Sequence, residues 1–165
     1  MSDAPTPFDA RRIFVALARH AVDYVTVGGI AVQAHGAHRV TQDLDIVVST
    51  ARENLGRLAA ALGDLDARIA GPDGQRSASP PSAGMLAAGD RWHLTGPAGD
   101  VDVMTLPAHL GSYTTLRERA LEVPLGEVFV PIAARDDLVA MKRAAGRPQD
   151  LADVELLEAI EDDHS

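Results

Sequence analysis

The sequence contains no cysteine, which excludes disulfide scaffolds, zinc–thiolate sites and thiol nucleophiles together. Aromatic residues are scarce, at 4 % of 165 positions, whereas apolar residues reach 46 %, so Leu, Val, Ile and Ala must fill the core of what length suggests is one domain. No stretch approaches the roughly 18 consecutive apolar residues of a membrane span. The opening MSDAPTPFDARR lacks the apolar segment of a secretory signal. A soluble, cytoplasmic protein without a membrane partner is the expectation. Lysine is almost missing too: fourteen Arg stand against one Lys, Lys142. A lone ammonium in an arginine-biased chain suggests chemistry that a guanidinium does not supply, although a chance surface Lys fits as well. The net charge of −9 opposes a broad nucleic-acid footprint and leaves room only for a local basic cleft. Part of that acidity lies in 155–163, which reads as a solvated helix face and tail.

What is present is concentrated in residues 27–48, VGGIAVQAHGAHRVTQDLDIVV. Thr6-Pro7-Phe8-Asp9 reads as the start of a helix that runs to about His20, with Phe14, Val15 and Leu17 apolar. Tyr24–Val27 is a short strand that Gly28-Gly29 breaks. Ile30–His35 is a short helix ending at Gly36, and Asp43–Val48 a second strand. Ser49 or Thr50 then caps a helix to about Leu62, with Leu55, Leu58 and Leu62 at helical spacing. Residues 66–70 suggest a strand and 71–84 a loop rich in Gly, Pro and Ser. Trp92–Thr95 and Asp100–Leu106 form a hairpin around Gly96-Pro97-Ala98-Gly99. Helix 113–120, strands 121–125 and 128–132, helix 135–145 and a last helix from Pro148 to about Ile160 complete an α+β pattern. No internal repeat or long linker divides it.

Three segments carry candidate chemistry. Asp43 and Asp45 are two apart on a strand and so share a face, where they repel unless a cation lies between them; a wet edge strand gives the same pattern. Asp102 sits between apolar residues in the same way, while Asp100 reads as part of the turn. If the two strands pair, three carboxylates meet and require bound cations, and oxygen ligands select Mg²⁺ or Mn²⁺. Gly28 and Gly29 allow backbone N–H groups to approach an anion, and Arg39 and Thr41 offer a guanidinium and a hydroxyl for phosphate oxygens or ordinary loop polarity. In the third segment Lys142 ends one helix, Arg147 occupies a turn, and Asp150 and Asp153 open the next helix, which simple capping also explains. His35 and His38 read as polar loop residues, with Gly36 breaking the helix between them.

Taken together, Gly28-Gly29, Arg39-x-Thr41-x-Asp43-x-Asp45 and Val101-Asp102-Val103 resemble the nucleotidyltransferase superfamily related to DNA polymerase β. The segment Leu138-x-x-Met141-Lys142-x-Ala144-Ala145-Gly146-Arg147-x-x-Asp150-Leu151-x-Asp153 is similar to small bacterial members, including AbiEii-type toxins of toxin–antitoxin and phage-defence systems. The resemblance covers about 24–48, 100–106 and 135–156; Ile30 stands where the family often has Ser or Thr. It implies a polymerase-β-like α+β fold with a mixed sheet packed against helices, a core at about 8–110 and a C-terminal extension at about 111–162. It also implies two Mg²⁺ or Mn²⁺ ions held by Asp43, Asp45 and Asp102, with Asp102 helping to deprotonate the acceptor. Gly28, Gly29, Arg39, Thr41 and Lys142 would bind nucleotide phosphates, with Arg147, Asp150 and Asp153 nearby. The implied activity is transfer of NMP from an NTP, ATP among them, to a hydroxyl or phosphate of tRNA, protein or a small molecule, with a toxin or antitoxin as partner. The alternative is a non-catalytic nucleotide-binding or interaction module that keeps the fold.

Overall fold

Acids alternate with apolar residues at 43–46 and again at 100–103, and in the computed structural model, which describes residues 8–164, both stretches are strands. The elements are α1 (Ala10–Arg19), β1 (Tyr24–Val27), α2 (Gly28–Ala34), β2 (Asp43–Val48), α3 (Arg52–Asp64), β3 (Arg68–Ile69), α4 (Ala83–Ala87), β4 (Arg91–Gly96), β5 (Gly99–Met104), a 3₁₀ turn at Ala108–Leu110, α5 (Tyr113–Arg119), β6 (Leu121–Leu125), β7 (Val128–Ile132), α6 (Arg135–Ala145) and α7 (Pro148–His164). The seven strands form one mixed sheet in the order β3-β4-β5-β2-β1-β7-β6. β2 runs parallel to β5 and β1 parallel to β7, and the remaining neighbours are antiparallel.

Because side chains alternate along a strand, Leu44 and Ile46 of β2 and Val101 and Val103 of β5 share the dry face. They join Ile13, Phe14 and Leu17 of α1 and Leu55, Leu58 and Leu62 of α3 in one core, each fully buried Leu or Ile being worth roughly 1.5–3 kcal/mol. Buried Asn54 fastens α3 to the sheet. Its Oδ1 accepts from the Asp23 N–H at 2.7 Å, and its Nδ2 donates to the carbonyls of Asp23 and Ser49, both at 2.9 Å. The opposite face carries Asp43, Asp45, Asp100 and Asp102. Among the described residues no helix is long and apolar enough to cross a membrane.

Several local expectations shift. Asp9 caps α1, its Oδ1 accepting from the Arg12 N–H at 3.0 Å; Thr6 and Pro7 lie outside the described residues. Ile13 is buried, and Val15 only half-buried. Gly28 and Gly29 open α2 rather than preceding it. Neither Ser49 nor Thr50 is the residue before α3, which is Ala51 with no side-chain cap. The strand expected over 66–70 keeps only two residues, and the end of the expected 71–84 loop becomes a helix start, with Ser82 Oγ accepting from the Met85 N–H at 3.2 Å. Asp100 belongs to β5, not to the turn, because the hairpin closes tightly at Gly96 and Gly99.

Candidate functional site: an acidic triad beside a cationic wall

The parallel pairing of β2 with β5 sets Asp43 opposite Asp100 and Asp45 opposite Asp102. One oxygen each of Asp43, Asp45 and Asp102 lies within 4.8 Å of the others. Such crowding disfavours three negative charges at once. Burial, then the charge of Asp43, then hydrogen bonding and charge from Asp102 push the Asp45 carboxyl up to about 7. Arg91 pulls it the other way, more weakly. Three converging carboxylates without a thiol or a second imidazole fit a hard divalent cation such as Mg²⁺ or Mn²⁺.

The glycine pair has a steric reason of its own. Gly28 has φ +72°, and a Cβ there would lie 2.0 Å from Asp45 Oδ2. A Cβ on Gly29 would fall 2.9 Å from Thr41 Oγ1. The first turn of α2 thus lies bare against the acids and the loop that precedes them. Thr41 Oγ1 donates towards the Asp43 carbonyl at 3.1 Å and its Oδ1 at 3.2 Å, so Thr41 braces the first acid.

The α6–α7 turn forms the neighbouring wall. Lys142 is 9 % exposed, and its Nζ lies 2.8 Å from Asp153 Oδ2 and 3.7 Å from Asp150 Oδ1. Arg39 Nε donates to the other Asp153 oxygen at 3.0 Å. Arg147 Nε donates to Asp150 Oδ2 at 2.7 Å, and its backbone N–H reaches the same oxygen at 3.2 Å. Burial pushes the Asp150 carboxyl up, but the Arg147 bonds outweigh it and hold it below its usual range. Gly146, at φ +68°, ends α6 in the left-handed conformation and turns the chain so that Asp150 and Asp153 face Lys142. The capping reading of this segment holds for Asp150, which takes the Arg147 N–H. It does not describe Asp153, which bridges Lys142 and Arg39.

Every sequence candidate therefore borders one open cleft of about 1040 Å³: Gly28, Gly29, Arg39, Thr41, Asp43, Asp45, Asp102, Lys142, Arg147, Asp150 and Asp153. His35 does not join them; its Nε2 lies 2.9 Å from the Ala133 carbonyl and ties α2 to the end of β7. His93 was not legible as a site residue. Its Nδ1 is 2.6 Å from Asp102 Oδ1 and its Nε2 3.7 Å from Asp100 Oδ2, and the bond to Asp102 is the main cause that raises the imidazole above its ordinary pKa. Hairpin register was the available signal. Closing a turn on Gly96 and Gly99 places residue 93 across from 102.

No protein-family model matches this chain, and no curated protein matches it in sequence. Solved structures do match. The lincosamide antibiotic adenylyltransferase LnuA, with lincomycin bound, superposes with a TM-score of 0.61 at 13% identity, over 93% of this chain and 99% of that one. The chain has the nucleotidyltransferase fold. ANT(2″)-Ia in complex with adenylyl-2″-tobramycin shares it at a TM-score of 0.59 and 14% identity, over 92% of this chain and 90% of that one. So does an antigenic nucleotidyltransferase-like protein from Paracoccidioides brasiliensis, at 0.54 and 16%, over 92% and 77%. At such identities the likeness is one of fold, and function must be argued from the site.

Proposed function

We propose that the chain is a single-domain, metal-dependent nucleotidyltransferase that moves NMP from an NTP to a hydroxyl or phosphate acceptor. The observation that carries this reading is the meeting of Asp43, Asp45 and Asp102 within 4.8 Å, with Gly28 pressed against Asp45. In this reading the three acids hold two Mg²⁺ or Mn²⁺ ions, which would neutralise charge on the entering and leaving oxygens of an in-line displacement. The acceptor oxygen bonds to the α-phosphorus as the bond from that phosphorus to the bridging oxygen breaks. Pyrophosphate leaves, and the acceptor proton passes to Asp102. Gly28 and Gly29 offer bare backbone to the phosphates.

The cations divide their work. Lys142 and Arg39 already face buried carboxylates, so they organise the wall and add a field to it. The Arg147 side chain is 70 % exposed and is the cation freer to meet a phosphate. The bound lincomycin and adenylyl-2″-tobramycin of two structural neighbours support a hydroxyl-bearing small molecule among the acceptor classes. The resemblance of the 138–153 segment supports a place among small AbiEii-type proteins, with a toxin or antitoxin partner.

Incubation with each α-labelled NTP, Mg²⁺ or Mn²⁺ and cell extract tests the reading, with Asp45→Asn as control. Label transferred by the wild type and not by the variant supports it; equal labelling by both defeats it. The partial neutralisation of Lys142 favours a second reading, a nucleotide-binding module without turnover. NTP binding with no pyrophosphate release in any extract would decide for that one.

A further inference from the structure

The cleft continues past the triad to a second wall that the proposed chemistry leaves unused. Across the sheet from Gly28, the strands run β1, β2, β5, β4, β3. Asp102 on β5 therefore stands between the glycine pair and the β4–β3 edge. On β4, Arg91, His93 and Thr95 alternate on the face that carries the acids, and Arg68 on β3 pairs with Thr95. Arg68, Arg76 and Arg91 all border the cleft.

The three arginines differ in what holds them. Arg68 is committed: it donates to Asp66 Oδ1 at 3.0 Å and to the Ala78 carbonyl at 2.7 Å. That second bond fixes the loop that follows β3. The same loop is tied down by a bridge between Ala70 and Arg76, by the Ser77 N–H to the Ile69 carbonyl at 2.9 Å, and by the Ile69 N–H to Ser77 Oγ at 3.0 Å. Arg76 is thus presented from an ordered backbone. Among the described residues neither the Arg76 nor the Arg91 side chain has an ion-pair or hydrogen-bond partner in the protein, and both are exposed. Arg91 is close enough to the triad to be felt at Asp45.

We infer that the β3–β4 wall is the acceptor subsite and that the acceptor carries a phosphate beside its reacting hydroxyl, read by Arg76 and Arg91. This inference rests on the nucleotidyltransferase reading and names its substrate class. Four strands spaced about 4.8 Å apart put β4 roughly 14 Å from β1, with the acids between the two walls. Polyphosphate lies at the glycine and Arg147 side, and the attacking group arrives from the far side of Asp102. Guanidinium forks without carboxylate partners suit a phosphate ester, and the carboxylates on the same wall, Asp66 and Asp100, already face Arg68 and His93. The acceptor class is therefore anionic, unlike an aminoglycoside. With a net charge of −9 over the whole chain, a nucleic acid would engage by its end and not along its length. An RNA terminus and a free sugar phosphate present the same chemistry to this wall.

The test is equilibrium binding to the full chain saturated with Mn²⁺ and a non-hydrolysable α,β-methylene analogue of ATP. The probes are pentauridylate, glucose 6-phosphate, glucose and tobramycin. The expected result is binding of one or both phosphate-bearing probes, glucose and tobramycin binding at least tenfold more weakly. The Arg76→Ala/Arg91→Ala double variant should lose tenfold or more for the bound probe and clearly less than that for the analogue; Lys at both positions should restore part of the loss. Preference for pentauridylate or for glucose 6-phosphate identifies the source. Tobramycin as the tightest probe, no binding of either phosphate-bearing probe, or a double variant that binds like the wild type would overturn the inference. The parent reading fails separately, by analogue binding that is indifferent to Mn²⁺ and to Asp45→Asn.

Discussion

Two charge clusters sit side by side in this cleft, and they are built on opposite terms. Asp43, Asp45 and Asp102 crowd like charges together on adjacent strands, with the His93 imidazole and the more distant Arg91 guanidinium beside them. Asp150 and Asp153 are more deeply buried, at 4 % and 1 % exposure, yet Lys142, Arg39 and Arg147 neutralise them within the fold. The second cluster is complete without a ligand; the first gains most when an outside cation arrives. Burial therefore does not mark the reactive group here. Uncompensated charge does.

Breaking each cluster should separate the two. Asp45→Asn is expected to lower transfer by about 10²–10³ or more, the scale for losing a group that stabilises the transition state, measured as pyrophosphate release. It should also raise the melting temperature of the metal-free protein, because one of three mutually repelling acids is gone. Asp153→Ala should do the reverse. It leaves buried Lys142 with only the more distant Asp150 and removes the carboxylate partner of part-buried Arg39, and denaturant unfolding should show a loss of about 3 kcal/mol. If both variants changed stability in the same direction, the contrast between the clusters would collapse.

Smaller effects sharpen it. Gly28→Ala adds a methyl 2.0 Å from Asp45 Oδ2 at a positive φ, and should cost about 1–3 kcal/mol and weaken Mn²⁺ binding. The stability of the metal-free protein should also depend on pH through Asp45. Below about pH 4 the carboxyl is protonated both folded and unfolded. Between about pH 4 and 7 the unfolded chain gives up a proton that the folded chain keeps, so stability falls as pH rises, and above about pH 7 the loss is complete. Thermal melts across this range, with and without Mn²⁺, check it: saturating ion should flatten the Asp45 contribution. The smallest effect belongs to Arg147→Ala. The guanidinium is exposed but the Asp150 carboxylate it meets is buried. That carboxylate keeps the Arg147 backbone N–H and Lys142, so the loss should be about 1 kcal/mol, while KM for the NTP should rise.

Much of this site was legible in the sequence because strand alternation is a two-residue code. Asp43-Leu44-Asp45-Ile46 and Asp100-Val101-Asp102-Val103 state which face is dry, and a core that buries Leu44, Ile46, Val101 and Val103 leaves the acids no other side. The order of the strands follows from long-range pairing, which local patterns do not encode. The same holds for the partners of Lys142: its solitary status pointed to a special role, but only the turn at Gly146 reveals that two carboxylates meet it. Asp100 reads as turn because it follows the Gly96-Pro97-Ala98-Gly99 bend, yet it pairs with Thr95 in the ladder; the same register sets His93 opposite Asp102, a pairing that acid alternation alone does not flag. A helix start slipped where Ser49 and Thr50 looked like caps and the backbone used Ala51 instead.

Calorimetric titration of the metal-free chain with Mn²⁺ at pH 8, beside Asp45→Asn and Asp102→Asn, addresses the acidic triad most directly. Saturable binding by the wild type, weakened tenfold or more in each variant, is the predicted result. Wild-type protein that takes up no Mn²⁺, or three proteins that bind it equally, would contradict the role assigned to these carboxylates.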